Sequence, residues 1–407
     1  MVIGGGIAGI TAGVEAGEAG RDVVLVESGS HLGGRVARLH RYFPKLCPPW
    51  CGLEIDLQRI GKSRRIRVMT GTEVAAVKPA SSGYSVDLVT GPSMITSACT
   101  SCGECAKACP VERESGFDLG MSRTRAAYLP YPMAFPARHA IDAAACKGRE
   151  CGKCVPACRY GAIDLDAKPA RETIEVSSIV IATGWRPYDA SRIEGLGFGR
   201  IPDVITNVMM ERLASPFGPT GGKIVRPSDG KEARRVAFVQ CAGSRDVNHL
   251  AYCSSVCCMA SLKQAWYVRE AIPSSEVEIF CIDLRAIGRH EDFLARVRAD
   301  PGVRITHGKV AEICEDSATG AVVVSAEDAD AGRIVRKEFD LAVLATGMVP
   351  NPVPPALAHL VKVDDHGFAS GQGGVAVFAA GVSSGPMDVA SSVEDATCAA
   401  LLAMTGG

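Results

Sequence analysis

The segment MVIGGGIAG, residues 1–9, decides the fold. Gly4, Gly6 and Gly9 match the pattern G-x-G-x-x-G, which joins the first strand of a dinucleotide-binding unit to its first helix. The first glycine permits the tight turn, the second lets a pyrophosphate approach the backbone, and the third lets helix and strand pack closely. The pattern alone is a weak signal, so its weight depends on the segments downstream of it.

The next segment is a second strand pattern that ends in an acid. DVVLVE, residues 22–27, places Glu27 to accept hydrogen bonds from the ribose hydroxyl groups of an adenosine, with Ser28 beside it. HLGGR, residues 31–35, adds a second pair of glycines, which is typical of FAD-binding rather than NAD-binding proteins. The sequence therefore predicts bound FAD, in preference to an α/β domain without flavin.

Later strands extend this pattern. IVIATG (179–184) and LAVLATG (341–347) each end in Ala-Thr-Gly, and GGVAVFAAGV (373–382) has the form of a final FAD-binding strand. Gly381 is not followed by the Asp that usually bonds the ribityl chain, and Asp388 is the candidate replacement. The predicted FAD-binding residues are Gly4, Gly6, Gly9, Glu27, Ser28, Gly33, Gly34, Arg35, Val74, Thr183, Gly184, Gly381 and Asp388.

Two cysteine motifs stand between these strands. CTSCGECAKACP (99–110) has the spacing C-x2-C-x2-C-x3-C-P of a ferredoxin that binds [4Fe–4S] clusters. CKGRECGKCVPAC (146–158) repeats it with one longer spacer. Zinc is the weaker interpretation, because zinc sites rarely place four cysteines this tightly. The motifs lie between YSVDLV (84–89) and TIEVSSIVIAT (173–183), so the ferredoxin is predicted to be inserted into the FAD-binding domain.

The ligand sets follow from the usual pairing in two-cluster ferredoxins, where the fourth cysteine of each motif binds the other cluster. The first predicted set is Cys99, Cys102, Cys105 and Cys158. The second is Cys146, Cys151, Cys154 and Cys109.

A third group of cysteines occupies residues 236–270, VAFVQCAGSRDVNHLAYCSSVCCMASLKQAWYVRE. A strand and a helix are predicted here, and a second dinucleotide-binding domain would carry its glycine-rich nicotinamide loop between them. Thiolates stand in place of the glycines, and they suit iron–sulfur clusters. An atypically spaced [4Fe–4S] site is favoured, and a redox disulfide or a structural role stays open. Its predicted ligands are Cys241, Cys253, Cys257 and Cys258.

Lys263 lies five residues after the last of these cysteines, on the predicted helix. A cation that faces the flavin would stabilise its anionic reduced forms, so Lys263 is the candidate catalytic residue. A lysine that faces solvent is the alternative.

Composition limits the remaining possibilities. The chain has 407 residues, of which 47% are apolar, and a formal net charge of −1, which gives no indication of nucleic-acid binding. Its 17 cysteines are clustered, which indicates metal binding in a reducing compartment. The sequence lacks an apolar run long enough for a transmembrane helix, so membrane association is expected only through a partner protein. The role of Cys47 and Cys51 stays open.

These patterns predict an α/β fold, a two-dinucleotide-binding-domain flavoprotein of the thioredoxin-reductase-like type with an inserted two-cluster ferredoxin domain. The expected domains are a first segment of the FAD-binding domain (1–90), the ferredoxin insertion (91–171), the FAD-domain return and linker (172–232), a second α/β domain with the atypical cluster (233–338) and a last segment of the FAD-binding domain (339–407).

The combination resembles the A subunits of heterodisulfide reductases and their relatives. CAGSRD (241–246) and YCSSVCCMASLK (252–263) carry the likeness together with the FAD fingerprint and the inserted ferredoxin. Within that group, YFPKLCPPWCGLEI (42–55), MAFPARHAIDAAACKG (133–148) and RPSDGKEARRVAFVQCAGSRD (226–246) look most similar to A subunits of the quinone-interacting membrane-bound oxidoreductase complex.

The resemblance implies FAD, three [4Fe–4S] clusters and a position near the flavin ring for Lys263. It also implies a cytoplasmic protein, peripherally associated with the membrane through a second Hdr-like flavoprotein and a membrane haem b subunit. Electrons would pass between the menaquinone pool and adenylylsulfate reductase. Flavin-based electron bifurcation, as in archaeal relatives, is the alternative function. An NAD(P)H-dependent disulfide reductase is disfavoured, because a second glycine fingerprint is absent.

Overall fold

The computed structural model describes residues 1–371 and 375–406. Residues 372–374 and 407 lie outside the described ranges, so the first two residues of the expected final strand, 373–382, are not described. The helices are α1 Ile7–Glu18, α2 Trp50–Lys62, α3 Glu104–Ala108, α4 Cys154–Ala157, α5 Asn207–Ala214, α6 Cys257–Ala271, α7 His290–Arg298 and α8 Val389–Thr405. The strands are β1 Val2–Ile3, β2 Val23–Glu27, β3 Ile66–Thr70, β4 Thr72–Ala80, β5 Gly83–Thr90, β6 Glu112–Glu114, β7 Arg123–Arg125, β8 Ala127–Tyr128, β9 Ala140–Ile141, β10 Ala170–Val176, β11 Ile179–Ile181, β12 Trp185–Pro187, β13 Val204–Thr206, β14 Arg235–Ala242, β15 Glu276–Cys281, β16 Val303–His307, β17 Val310–Glu315, β18 Val322–Asp328, β19 Arg333–Phe339, β20 Leu341–Thr346, β21 Met348–Pro350, β22 Val361–Val363, β23 Ala369–Gly371 and β24 Val377–Ala379.

The chain divides into two units. Unit 1 contains Met1–Ala37, Trp50–Trp185 and Pro350–Gly407, and unit 2 contains Arg38–Pro49 and Arg186–Val349. Among the described residues, no helix combines the length and the apolar character that crossing a membrane requires.

Unit 1 is built on five parallel strands in the order β24-β11-β1-β2-β3. Side chains of β2 alternate between the two faces of this sheet. Val23 and Leu25 pack in the cluster that includes residues of α1, α2 and α8, whereas Val26 packs with the antiparallel sheet β10-β5-β4. The G-x-G-x-x-G turn therefore leaves the central strand β1 at the carboxyl edge of the sheet, where ligands bind in open α/β folds.

The ferredoxin segment is inserted in a hairpin of unit 1. Strands β5 and β10 are antiparallel neighbours, with Thr90 directly opposite Ala170, so residues 91–169 leave and re-enter the sheet at adjacent positions. The insertion contains α3, α4 and the hairpins β6-β7 and β8-β9. Its small core includes Ile95, Cys105 and Ala127.

Unit 2 is built on a second parallel sheet, β13-β20-β14-β15-β16. Helix α6 follows β14, and its Leu262, Ala265 and Val268 are fully buried. A second core joins inward-facing residues of β14 and β20 to the antiparallel sheet β17-β18-β19, where Val322 and Val324 are fully buried. Residues 243–256 connect β14 to α6. In the third cysteine group, Cys241 lies on β14, Cys253 on the connection, and Cys257 and Cys258 at the start of α6.

The unit boundaries differ from the expected domains. LAVLATG was expected in the last segment of the FAD-binding domain, but β20 pairs in parallel with β14 and β13 and lies in the sheet of unit 2. Strand β13 was expected in the FAD-domain return and lies in the same sheet. Arg38–Pro49 belongs to unit 2 because buried groups of that unit bond its backbone, as described for Lys263 below. An Ala-Thr-Gly ending marks a buried parallel strand without specifying its sheet.

Candidate flavin and iron–sulfur sites

The first glycine turn forms a close-packed cradle. Gly4 has φ +109°, and a Cβ there would overlap the carbonyl oxygen of Ala182. A Cβ at Gly9 would overlap the carbonyl oxygen of Gly4. Helix α1 begins at Ile7 and its N-cap, Gly6, provides no side-chain cap. Its first N–H groups can therefore bind an anion such as the pyrophosphate of FAD.

Gly6 and Gly34 shape the floor of this cradle. A Cβ at Gly34, which has φ +52°, would lie 2.7 Å from Cα of Gly6. A Cβ at Gly6 would meet only Cα of Gly34, at 3.9 Å, so the protein itself leaves room there. The packing of the protein does not require glycine at position 6. The close approach of a pyrophosphate to the backbone does require it. The residues of the turn thus fit a dinucleotide.

Glu27 is held at the end of β2. Its Oε2 accepts from the backbone N–H of Gly5 and its Oε1 from that of Gly29, both at 2.6 Å, and the Ser28 hydroxyl lies 3.4 Å from Oε1. These bonds fix the carboxylate beside the start of α1. A carboxylate oxygen accepts more than one hydrogen bond, so Glu27 can still bind ribose hydroxyls, and that contact stays a prediction.

Two of the later FAD candidates, Thr183 and Gly184, contact Ser383, a residue that no sequence motif indicated. The buried Ser383 hydroxyl accepts from the Gly184 N–H at 3.1 Å and lies 3.2 Å from the Thr183 hydroxyl. Gly381 donates its N–H to Asp395 at 2.7 Å. The one sequence signal for Ser383 is its place two residues after Gly381.

Asp388 is the N-cap of α8. Its side chain accepts from the Ser391 N–H at 2.8 Å and caps the N-terminus of α8. Arg35 donates from Nε to the Trp185 carbonyl at 3.1 Å, and its guanidinium lies 5.3 Å from the centre of the Trp185 ring. Val74 is half-buried on β4 opposite Leu88. Their predicted contacts with FAD stay predictions.

The insertion is fastened to the FAD loop. The Tyr131 hydroxyl donates to the carbonyl of Leu32 at 2.6 Å, and the Leu32 N–H donates to the carbonyl of Phe135 at 2.8 Å. His31 Nε2 bonds the Arg138 carbonyl at 2.7 Å. Burial lowers the pKa of His31, so this ring is neutral at pH 7 and the contacts carry no ionic term.

The first predicted ferredoxin set surrounds a cleft. The cleft encloses about 310 Å³, counting the volume that is open to solvent, and Ile163 and His139 close its walls. Burial raises the pKa of Cys105 to about 11, and the neighbouring Cys99 thiolate adds to the shift. The four cysteines that line the cleft are Cys99, Cys102, Cys105 and Cys158.

Cys154 of the second set is partly buried. Burial raises its pKa, and the charges of Cys146, Cys109 and Cys151 raise it further. The structure gathers the first predicted set around one cleft, and the ligand roles of both sets stay predictions.

Backbone N–H groups point at the sulfur atoms of the insertion. Ser101 donates to Cys99 Sγ and Gly148 to Cys146 Sγ, each at 3.4 Å, and Ala162 donates to Cys158 Sγ at 3.3 Å. Such hydrogen bonds stabilise anionic ligand sulfur and tune iron–sulfur clusters. In the described ranges, no three His, Cys, Asp or Glu side chains converge on a point where a single metal ion would be held. The thiolate donors and their ferredoxin spacing suit iron–sulfur clusters.

The third cysteine group lines a cleft in unit 2. The cleft encloses about 330 Å³, counting its solvent-open volume, and Arg245, Asp283 and Arg285 share its lining. Ser255 donates its N–H to Cys253 Sγ at 3.4 Å. The cysteines around the cleft are Cys241, Cys253, Cys257 and Cys258.

Helix α6 starts inside this group. Cys257 and Cys258 are its first two residues, and the partial positive charge of the helix N-terminus favours thiolates there. Burial raises the pKa of Cys257, and the charges of Cys241 and Cys258 raise it further, so the metal-free thiol is protonated at neutral pH. Binding of iron must displace such protons. The residues fit a [4Fe–4S] cluster, and their ligand role stays a prediction.

Cys281 lies beside this group. Its apolar sequence context predicts a buried core thiol, and it is 1% exposed at the end of β15. Burial raises its pKa to about 12, with further contributions from the charges of Cys258 and Cys241 among others.

Lys263 is buried in unit 2. Its Nζ lies 2.9 Å from Glu211 Oε1 and donates to the Arg41 carbonyl at 2.6 Å. Glu211 also accepts from Gln264 at 2.7 Å and from the backbone N–H of His40 at 2.9 Å. The alternative of a solvent-facing lysine is wrong, since Lys263 is 2% exposed. Its predicted effect on the flavin stays a prediction.

Family models match two stretches of the chain. The model described as FAD dependent oxidoreductase matches residues 1–50, and the model described as 4Fe-4S binding domain matches residues 92–112. These matches support FAD and [4Fe–4S] clusters as cofactors, and they leave the number of clusters open.

Curated relatives match nearly the whole chain. An iron–sulfur A subunit of the CoB–CoM heterodisulfide reductase of Methanopyrus kandleri is 37% identical over 419 residues, which cover 100% of this chain and 64% of the relative. The corresponding A subunit of Methanocaldococcus jannaschii is 37% identical over 98% of this chain and 63% of the relative. The A subunit of the H(2):CoB-CoM heterodisulfide,ferredoxin reductase of Methanothermobacter marburgensis is 34% identical over 98% and 62%. The chain thus spans slightly less than two thirds of the length of these relatives.

Solved structures identify the fold. Thioredoxin reductase of T. acidophilum superimposes with a TM-score of 0.53 at 14% identity, covering 99% of this chain and 96% of the other. Thioredoxin reductase of Lactococcus lactis gives 0.52 at 13% identity, covering 100% and 97%. The predicted fold class is confirmed.

Proposed function

We propose that this chain, a FAD-dependent oxidoreductase with a 4Fe–4S domain that is similar to the A subunits of heterodisulfide reductases, is the electron-transfer subunit of a larger complex. FAD exchanges electrons in pairs or singly, and iron–sulfur clusters carry them singly. The observation that carries the proposal is the four-cysteine cleft of unit 2 between β14 and α6. A nicotinamide-dependent relative would bind its hydride donor at this turn.

Three [4Fe–4S] clusters are proposed, one for each four-cysteine group. Two occupy the insertion, and the third occupies the cleft of unit 2. Iron and sulfide analysis of anaerobically purified protein should give about twelve irons per chain, four for each cluster. The double variant Cys257→Ser/Cys258→Ser should lose about four of them and keep the ferredoxin signals.

Cys398→Ser is the matched control, because Cys398 is an exposed thiol on α8 of unit 1. It should keep the iron content of the unmodified chain. If the unmodified chain and the double variant both hold about eight irons, the cleft of unit 2 binds no cluster.

The relatives favour a heterodisulfide reductase-type complex over the adenylylsulfate route. The names of the relatives include heterodisulfide, and the name of the Methanothermobacter marburgensis enzyme also includes ferredoxin. That enzyme is therefore named for two electron acceptors. Two acceptors are what flavin-based electron bifurcation requires. We therefore place bifurcation, the alternative function that the resemblance implies, first among the possible reactions of the whole complex.

The route between menaquinone and adenylylsulfate reductase is the second candidate. Only the resemblance of YFPKLCPPWCGLEI (42–55) and two further stretches favours it. In that case the partners are a second Hdr-like flavoprotein and a membrane haem b subunit, with peripheral attachment of this cytoplasmic chain to the membrane. Purification of the native complex and mass spectrometry of its components decides between the two, since a haem b protein is expected only in the second.

A further inference from the structure

Arg245 lies on the rim of the unit 2 cleft and is held there from two sides. Its Nη1 donates to Asp283 Oδ1 at 2.5 Å, and its backbone N–H donates to the Tyr252 carbonyl at 3.1 Å. Its backbone is in the left-handed region, with φ +56°. Non-glycine residues adopt this conformation rarely, and it is concentrated at functional sites.

Arg245 places a cation in the cleft. Its side chain lines the cleft together with the four cysteines and is 24% exposed. A cation at this position favours anionic sulfur. Cys241 itself has φ +55°, so the turn presents both residues from strained backbone positions.

We propose that Arg245 sets the redox potential of the cluster bound by the unit 2 cleft, because its guanidinium, which Asp283 fixes, lines the cleft beside the ligand cysteines. The inference rests on the proposed third cluster. Reduction adds one negative charge to a cluster and its four thiolates. A cation beside the ligand sulfur atoms stabilises the reduced form more than the oxidised form, and so raises the potential.

Arg285 provides a matched comparison. It lines the same cleft, and its Nε lies 3.4 Å from the other carboxylate oxygen of Asp283. Its side chain is 44% exposed, against 24% for Arg245. Arg285→Leu thus removes the same charge from the same rim, but from a side chain that solvent screens more strongly.

The test is a redox titration of the full chain monitored by electron paramagnetic resonance, with iron analysis of each sample. The signal that disappears in Cys257→Ser/Cys258→Ser identifies the cluster of the cleft. Arg245→Leu should retain iron and lower the equilibrium constant for one-electron reduction by at least about tenfold, equivalent to about 59 mV. Arg285→Leu should lower it less than about threefold, because solvent screens its exposed charge.

Equal shifts in the two variants, or an unmoved potential in Arg245→Leu, would overturn the role of Arg245. If Arg245→Leu loses iron, Arg245→Gln is titrated in its place. A fall of about tenfold in its equilibrium constant supports the proposal, and a value equal to that of the unmodified chain overturns it. If iron analysis gives about eight irons for the unmodified chain, the third cluster itself is wrong, which separates that failure from the failure of Arg245.

Discussion

At position 6, the expected ligand requires glycine, whereas the packing of the protein does not. Its missing Cβ would meet protein only at 3.9 Å, so Gly6→Ala should fold normally and fill the space that a pyrophosphate needs. We expect at least a tenfold loss of FAD affinity, about 1.4 kcal/mol, measured by titration of the apoprotein with FAD. Gly13→Ala is the control, because Gly13 lies on the same helix α1 and its Cβ would also meet protein only at 3.9 Å. Equal FAD affinities in Gly6→Ala and Gly13→Ala would contradict binding of the pyrophosphate at Gly6.

Lys263 and Glu211 form a buried ion pair whose two members depend on each other. Their side chains are 3% and 4% exposed. Lys263→Ala leaves the Glu211 charge without its cation, so we expect a loss of about 3–5 kcal/mol in stability, measured by denaturant unfolding. Lys263→Met/Glu211→Gln removes both charges and should recover most of that loss. If the single variant is as stable as the unmodified chain, the ion pair has no structural role.

This dependence changes how a flavin effect of Lys263 must be tested. A potential shift in Lys263→Ala alone could come from a disturbed unit 2, because Lys263 also bonds Arg41 and Glu211 bonds His40. Lys263→Met/Glu211→Gln removes the lysine without leaving an unpaired buried charge on Glu211. It is therefore a better background than Lys263→Ala for measuring flavin potentials.

At the scale of elements, the β5-β10 hairpin predicts that the ferredoxin is removable. Thr90 and Ala170 face each other, so an Asn-Gly turn can replace residues 91–169 without changing the register. The shortened chain should keep FAD, judged by its flavin absorbance, and lose about eight irons. The hydrogen bonds that the Tyr131 hydroxyl donates to Leu32 and that the Leu32 N–H donates to Phe135 are lost with the insertion, so a lower melting temperature is expected. Complete loss of FAD would show that the insertion contributes to the flavin site.

The same scale explains which elements could be predicted. The glycine turn and the ferredoxin motifs are local, and their spacing reflects geometry within about a dozen residues. The partner of a strand is not local. LAVLATG fits either parallel sheet, and only its register with β14 assigns it to unit 2. Arg245 and Asp283 meet because they follow adjacent strands β14 and β15, so their contact could not be read from spacing.

For the whole molecule, the main prediction concerns nicotinamide. In place of a short glycine-rich turn, residues 243–256 connect β14 to α6, and four cysteines surround that connection. We therefore expect NADH and NADPH to leave the flavin oxidised, when stoichiometric amounts are mixed anaerobically with the chain. Dithionite is the control and should bleach the same sample. Flavin bleaching by NADH on the dithionite timescale would contradict the proposed exchange of a hydride site for a cluster.

The position of the insertion has a consequence for biogenesis. Pairing of β10 with β5 closes the loop formed by residues 91–169, and closing a flexible loop costs entropy that grows with its length. Cluster assembly ties the cysteines of that loop together and lowers this cost. We therefore expect a chain synthesised under iron limitation to expose β5 as an open edge more often, which favours aggregation and proteolysis. Cellular iron would then control the abundance of a flavoprotein through folding alone, without a dedicated regulator.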